Sequence, residues 1–488
     1  MSEPTTHRAT RVGSRRILGD VSVQLGGQIV NVALGIVTTV VLVRALEATR
    51  YGEWATIMAI IDLVAMVGNF GLETVVIRLA TQEPEREGAW VGAAATLRMA
   101  IALPALLVFV AVLAVVAADD EMLLAGIVLS LLYITSVLST LRIVFRLHVR
   151  NHVTVFFTTL NSILWAGSVI AIAALDGGIV EFAVAFVVIT FIVQVCLAIV
   201  ALRTIHVRWR GSHKLWGRML GIGISVGIAA TLTFAYGRID QLLVYELAPN
   251  PEEVGVYAAM YKILDNAGFV PMAVMVTMFP VMAGLFPADR PRLRRVMQMA
   301  IDYLGFVALG GLALTIVAAE PIIELLYGEE FTSGATVLTV LIAAFIPICI
   351  GNVAGNMVVA MDLQRRYLWL AALGLVLNVA LNVVLIPEYG IEAAAWVTLA
   401  TEVVVVAFAT VMVLRRMEMR LSLRRLALAL LAATAAALAV WGLRQAGAGA
   451  IALILAMAAL YPALLVALRA LDVAQLKRLV RSRGEAAA

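Results

Sequence analysis

Lys262 and Asp265 stand three residues apart in a largely apolar run, with Tyr261 before them and Asn266 after. At that spacing a helix brings the ammonium and the carboxylate onto one face, close enough to pair. Two further carboxylates, Asp62 and Glu402, are embedded in apolar sequence, and Arg78, Arg98 and Arg238 lie at or near the ends of such runs. Asp20, Gln24, Gln28 and Asn31 recur at intervals of four, four and three, which places them along one helical face. Cations of this kind can hold an anion, amides can line a polar path, and the carboxylates can take a proton or a sodium ion. Each group also has a plainer use. Lys262 and Asp265 can form a structural ion pair, Arg78 can anchor a helix end at an interface, Arg238 can pair with Asp240, and the amide stripe can bond neighbouring helices. Spacing alone serves both readings.

Two other patterns point more weakly to chemistry. His148 and His152 have the spacing of a helical metal pair but lie among Arg146 and Arg150, with no glutamate following either. The run Asp119-Asp120-Glu121 resembles the paired carboxylates of membrane glycosyltransferases, yet it sits in a short connection that suits a solvated turn. No metal or cofactor is expected, and no enzyme activity.

The elements that must position these residues follow from composition. Of 488 residues 63% are hydrophobic and 14% charged, and the mean hydropathy is +1.00. No water-soluble core and surface has that make-up. A bilayer crossing takes roughly 20 apolar residues, so the chain has room for about fourteen helical crossings joined by short connections. A large soluble catalytic domain is excluded, and neither a G-x-x-x-x-G-K-[ST] phosphate loop nor a G-x-G-x-x-G turn is present. The net charge of +4 does not mark a nucleic-acid binder, because the basic residues are spread over short loops. Cys196 and Cys349 lie apart in apolar runs and imply neither a disulfide nor a zinc site.

Most of the 36 Lys and Arg fall in alternate loops and in both terminal tails. Those positions are expected to be cytoplasmic, since short basic loops stay inside. The expected layout is a cytoplasmic tail over 1–16, a first lobe of six spans over 17–202, the second of them over 54–77, a basic linker over 203–218 and a second lobe of six spans over 219–414. Two appended spans with their preceding basic loop follow over 415–471, then a tail over 472–488. An ionised residue at mid-bilayer costs roughly 2.5 to 3.5 kcal/mol, so Asp62, Lys262, Asp265 and Glu402 must face protein or water.

A duplication supports the two lobes. An offset of 203 lays Tyr51-Gly52-Glu53-Trp54 over Val254-Gly255-Val256-Tyr257 and Asp62 over Asp265, and near an offset of 212 Asp176-Gly177-Gly178-Ile179 faces Glu388-Tyr389-Gly390-Ile391. Copies with an even number of spans sit the same way up, related by an axis along the membrane normal.

Arg44-Ala45-Leu46 with Tyr51-Gly52 and Gly71-Leu72, then Arg238-Ile239-Asp240, Phe279-Pro280 and Leu325-Leu326-Tyr327-Gly328, form a recognisable set. With Asn378, Asn382 and Leu385-Ile386-Pro387-Glu388-Tyr389-Gly390-Ile391, it resembles the polysaccharide flippases of the multidrug/oligosaccharidyl-lipid/polysaccharide exporter superfamily, O-antigen flippases among them. The resemblance covers spans one to twelve. It implies an all-helical transporter in which two lobes rock about a central cavity. The implied substrate is an oligosaccharide linked to a polyprenyl phosphate or diphosphate, moved across the cytoplasmic membrane. In the related lipid II flippases a basic residue at the position of Lys262 contributes to a cationic cavity, and this chain has lysine there in place of arginine. On this reading Lys262, Arg98, Arg238 and Arg78 meet the phosphates, while Gln24, Gln28, Asn31, Tyr261 and Asn266 line the sugar path. Asp62, Asp265 and Glu402 are the candidates for ion coupling. The implied partners are the lipid-linked substrate, membrane lipids and a glycan polymerase or transferase. A multidrug antiporter of the same superfamily and a membrane-embedded glycan polymerase or transferase are the alternatives.

Overall fold

The computed structural model describes residues 14–69, 71–209 and 213–471, and among these it is built of helices without strands. Helix is the form a lipid-embedded chain takes, because it satisfies every backbone N–H and C=O internally. In chain order the first lobe holds α1 (Ser14–Asn69), α2 (Leu72–Gln82), α3 (Glu87–Val116), α4 (Asp120–Ser130), α5 (Leu132–Ser139), α6 (Ile143–Leu147), α7 (Asn151–Ala173) and α8 (Ile179–Thr204). There follow α9 (His213–Tyr236), α10 (Ile239–Leu247), α11 (Pro251–Ala267), α12 (Phe269–Leu285), α13 (Arg290–Tyr327), α14 (Ala335–Ala360) and α15 (Gln364–Met417), then α16 (Arg424–Gln445) and α17 (Ala450–Ala467).

Eleven helical runs among the described residues are long and apolar enough to cross a membrane. Two of them are too long for one crossing: α1 has 56 residues and α15 has 54, about 80 Å each at 1.5 Å per residue. Each doubles back at a single residue of positive φ, Glu47 at 58° and Gly390 at 59°. With these two hairpins and the α9–α10 pair, the fourteen expected crossings are accounted for. The bend at Glu47 frees N–H groups at the start of the returning helix, and Ala48 N donates to Glu330 Oε1 at 2.9 Å from the other lobe. At the second bend Ile391 N donates to Glu253 Oε2 at 3.4 Å. Beside the first bend, Arg44 donates to the carbonyls of Leu325 and Leu326 at 2.7 and 2.8 Å, where the last turn of α13 leaves acceptors unpaired.

The second expected crossing, over 54–77, ends earlier than the sequence suggests. The α1 run stops at Asn69, and Gly71 enters α2 in the left-handed region at φ 62°. The short α2 buries Leu72, Val75, Val76 and Leu79 against the first lobe and leaves Arg78 on its exposed side.

The fourth crossing is broken into α4, α5 and α6 where the sequence is rich in hydroxyls. Ser130, Thr135, Ser136, Ser139 and Thr140 each donate to a carbonyl three or four residues back, which competes with the helix ladder and loosens it. Proline acts similarly in α13. Pro321 has no N–H for the Val317 carbonyl. Arg444 of α16 fills that place, donating to Val317 O at 2.7 Å and meeting Glu320 at 2.6 Å. Tyr461 of α17 lies against Gly310 and donates to Phe306 O at 2.8 Å. The last two helices are thereby docked on α13.

At the other end of the molecule the first turns of α9 pack with α2 and α3. Arg218 meets Glu83 at 2.6 Å, and Trp216 Nε1 donates to Ala93 O at 3.1 Å.

Candidate functional site

The duplicated segments meet on the axis that relates them. Gly52 of α1 and Gly255 of α11, equivalent under the offset of 203, are in direct contact: a Cβ on Gly52 would stand 2.8 Å from Gly255 N, and one on Gly255 would fall on the Ala48 carbonyl. Only glycine at both positions allows the two backbones to approach this closely. Together with the Ala48–Glu330 bond, the contact closes the lobes on one another at this end.

Below it lies a cavity of about 380 Å³ with walls from both lobes. The repeat explains which residues face it. On α1 the wall is Tyr51, Trp54, Ala55, Met58 and Ala59, and on α11 it is Ala258, Lys262, Asp265 and Asn266. Ala55 and Ala59 are the repeat equivalents of Ala258 and Lys262, so two copies of one helix face oppose each other. One has become apolar and aromatic, the other charged.

The charged wall is organised by a break in the helix. Between α9 and α10 the chain leaves helical geometry at Gly237 and Arg238. Such backbone is tolerated at membrane depth where it lines a cavity or is buried in protein. Tyr261 donates to the Gly237 carbonyl at 2.7 Å, and Arg238 lies 5.9 Å over the Tyr261 ring. Arg238 Nη1 meets Asp265 Oδ2 at 2.9 Å, with about a quarter of each side chain exposed.

Two expected pairings are therefore replaced. Asp265 is engaged by Arg238 and not by Lys262, because the break sets the guanidinium opposite α11. Arg238 does not pair with Asp240, because Asp240 turns inward: it is 1% exposed, and its Oδ2 accepts from Tyr257 at 3.1 Å and Thr398 at 2.9 Å. Lys262 lines the cavity and forms no ion pair among the described residues. Asp62 stands in the field of Arg238, Lys262 and Asp265, as its repeat relation to Asp265 would place it.

Of the amide stripe, Gln28 and Asn31 reach the cavity, and Asn31 Oδ1 is buried without a hydrogen-bond partner among the described residues. Gln24 is exposed and lies outside the lining, and the Asp20 side chain lies outside the described residues. Arg78 is exposed on α2, away from the cavity. Arg98 is drawn into a first-lobe cluster with Glu73 and Arg142, where Glu73 also holds Arg142 and Arg146 at 3.0 Å. Glu402 sits apart from the cavity lining, beside Tyr236 and Tyr367 and in the field of Asp240.

The structure adds residues that sequence reading passed over. Trp165 of α7 and Phe186 of α8 join Trp54 on the aromatic wall, and Gln241 completes the polar one. Trp165 and Phe186 carry no signal in sequence, since aromatic residues in apolar helices are common. Asp240 could have been singled out as one more carboxylate close to an apolar run. Its Oδ1 is buried without a partner among the described residues. Farther along, α15 buries Asn378 and Asn382, joined at 3.0 Å, and Asn382 Oδ1 is likewise unpartnered. The acidic turn is structural: Asp119 caps α4 by accepting from Met122 N at 2.8 Å and meets Arg50 at 2.6 Å. These bonds hold the Asp119 carboxyl below its ordinary range, the Met122 N–H contributing most.

Two repeated six-span lobes that enclose a mixed polar and aromatic cavity define a multi-pass membrane protein. The chain belongs to the polysaccharide biosynthesis protein family, whose model matches residues 41–336. The "Probable flippase AglR" of Haloferax volcanii is 27% identical over 150 residues, 30% of this chain and 31% of that protein. The match thus spans less than a third of that relative's length. Among solved structures, the lipid II flippase MurJ in an inward closed conformation superposes with a TM-score of 0.74 at 11% identity, covering 90% of this chain and 96% of the other. An inward-facing multidrug resistance MATE transporter gives 0.67 at 14% identity, covering 79% and 94%. A Pyrococcus furiosus transporter of the superfamily, described as having a binding pocket of reversed polarity, gives 0.60 at 15% identity, covering 83% and 96%.

Proposed function

We propose that the protein flips a lipid-linked oligosaccharide, carried on a polyprenyl phosphate or diphosphate, across the cytoplasmic membrane by alternating access of its two lobes, with both termini cytoplasmic. The observation that carries this reading is the on-axis cavity, where Lys262 forms no ion pair among the described residues and Arg238, paired with Asp265, lies beside it on the same wall. An anionic headgroup can engage the ammonium as a point charge and compete for the guanidinium. Gln28, Asn31, Gln241 and Asn266 supply donors and acceptors for hydroxyl groups. The glycine contact at the closed end is the element that must separate when the cavity turns to the other side.

The energy source in this scheme is a cation bound by a buried carboxylate. Asp240 suits the role, with one oxygen held by two hydroxyls and the other without a partner among the described residues. Asp62, Asp265 and Glu402 stand with it as candidates. A glycan polymerase or transferase would consume the flipped product.

Antiport of cationic drugs is the second reading, favoured by the carboxylates Asp62 and Asp265 near the cavity and by the superposition on a multidrug transporter. Deleting the gene, extracting the lipid-linked glycans and locating them by leaflet separates the two. Accumulation of a complete lipid-linked oligosaccharide facing the cytoplasm, with loss of surface glycan, is the expected result. Normal arrival in the outer leaflet, with sensitivity to cationic drugs instead, would establish the antiporter.

A further inference from the structure

The two walls of the cavity differ in chemistry although they derive from one repeated helix. On the first-lobe side, Trp54 and Trp165 are stacked with ring centroids 6.0 Å apart and planes 11° from parallel. Phe186 meets Trp165 edge-on at 4.8 Å and Trp54 at 6.1 Å. All three line the cavity, and the amide of Asn31, with its unpartnered oxygen, and that of Gln28 lie on the same lobe. The repeat equivalent of Trp54 is Tyr257, which is 1% exposed and spends its hydroxyl on Asp240. The aromatic wall therefore belongs to one lobe alone.

We infer that Trp54, Trp165 and Phe186 form a carbohydrate platform, the sugar half of a two-part site whose phosphate half is Lys262 and Arg238 on the facing lobe. The inference rests on the flippase reading and adds to it the division of the substrate between the lobes. A pyranose has one face of C–H groups and a rim of hydroxyls. Flat, weakly hydrated rings complement the face, and amides complement the rim. A diphosphate has the opposite needs and finds them across the cavity. A purely lipidic substrate would use the aromatic wall but offer no donor to Asn31 Oδ1.

The test measures binding by native mass spectrometry of the full-length protein in detergent. The probes are bare undecaprenyl diphosphate and the same lipid carrying glucose, mannose or N-acetylglucosamine. The platform predicts that wild type prefers at least one sugared lipid over the bare one. It predicts that Trp165→Ala weakens that sugared lipid at least fivefold while changing the bare lipid less than twofold, that Trp165→Phe restores most of the loss, and that Lys262→Gln weakens both probes. Unchanged binding of the bare lipid shows that Trp165→Ala is folded. If wild type binds bare and sugared lipids equally, or Trp165→Ala weakens both alike, the platform is overturned while the flippase reading survives. If wild type binds none of the probes, both fail.

Discussion

Gly255→Ala tests whether the glycine contact holds one end of the transporter shut. The added methyl would meet the Ala48 carbonyl carbon at 2.7 Å and its Cα at 3.0 Å, where ordinary contact is 3.4–4 Å. These are backbone atoms of a helix start pinned by Glu330, so no side-chain rotation relieves them. The lobes must part there by at least about 0.7 Å, and overpacking of this kind costs about 1–3 kcal/mol. A penalty near 2 kcal/mol falls on the closed arrangement and is absent once the lobes separate. The equilibrium therefore moves about thirtyfold toward opening at this end. Spin labels at Glu121→Cys and Glu252→Cys, exposed positions on opposite lobes, report the separation in a background lacking Cys196 and Cys349. The expected result is a longer distance population that is minor in the parent and dominant in Gly255→Ala, with Gly52→Ala acting in the same direction. Identical distance distributions for parent and variant, in a protein that still folds, would refute the gate.

Asp265→Asn removes the carboxylate that Arg238 meets and should lower stability by about 2 kcal/mol, less than for a fully buried pair because about a quarter of each side chain is exposed. Thermal unfolding in detergent should show the loss, and Arg238→Gln in the same chain should recover part of it. If Asp240 holds the coupling cation, the melting temperature of the parent should rise when sodium replaces choline or change with pH, and Asp240→Asn should abolish the response. A response that survives Asp240→Asn would move coupling elsewhere. Glu83, outside the membrane, is held below its ordinary carboxylate value by Arg218, with Arg86 adding to the effect. Since the folded value is depressed, its support of the α2–α9 contact is present above the ordinary value of 4.5 and fades as pH falls through the lower folded one. The melting difference between parent and Glu83→Gln should therefore shrink between pH 7 and pH 3, and a constant difference would argue against the ion pair.

Much of the architecture was legible in sequence because hydropathy is a local property. Apolar runs predict crossings wherever they occur, without reference to distant residues. The duplication was also readable, since equivalent residues keep their spacing, and the offset that aligned Gly52 with Gly255 anticipated two positions that touch in space. Ends and partners were less accessible. The crossing expected over 54–77 stops at Asn69, because a left-handed Gly71 turns the chain into α2, and Arg78 goes with that helix away from the cavity.

Only the tertiary structure decided which charges meet. Arg238 is two residues from Asp240 and twenty-seven from Asp265, yet it pairs with Asp265, because the break at Gly237 turns the guanidinium toward α11. Asp240 is claimed by Thr398, 158 residues away, and Trp54 finds Trp165 on another helix. Pairing depends on distances between segments that the chain brings together only after its helices have packed. A local sequence pattern specifies what a residue can do, and the packing of remote helices selects the partner with which it does so.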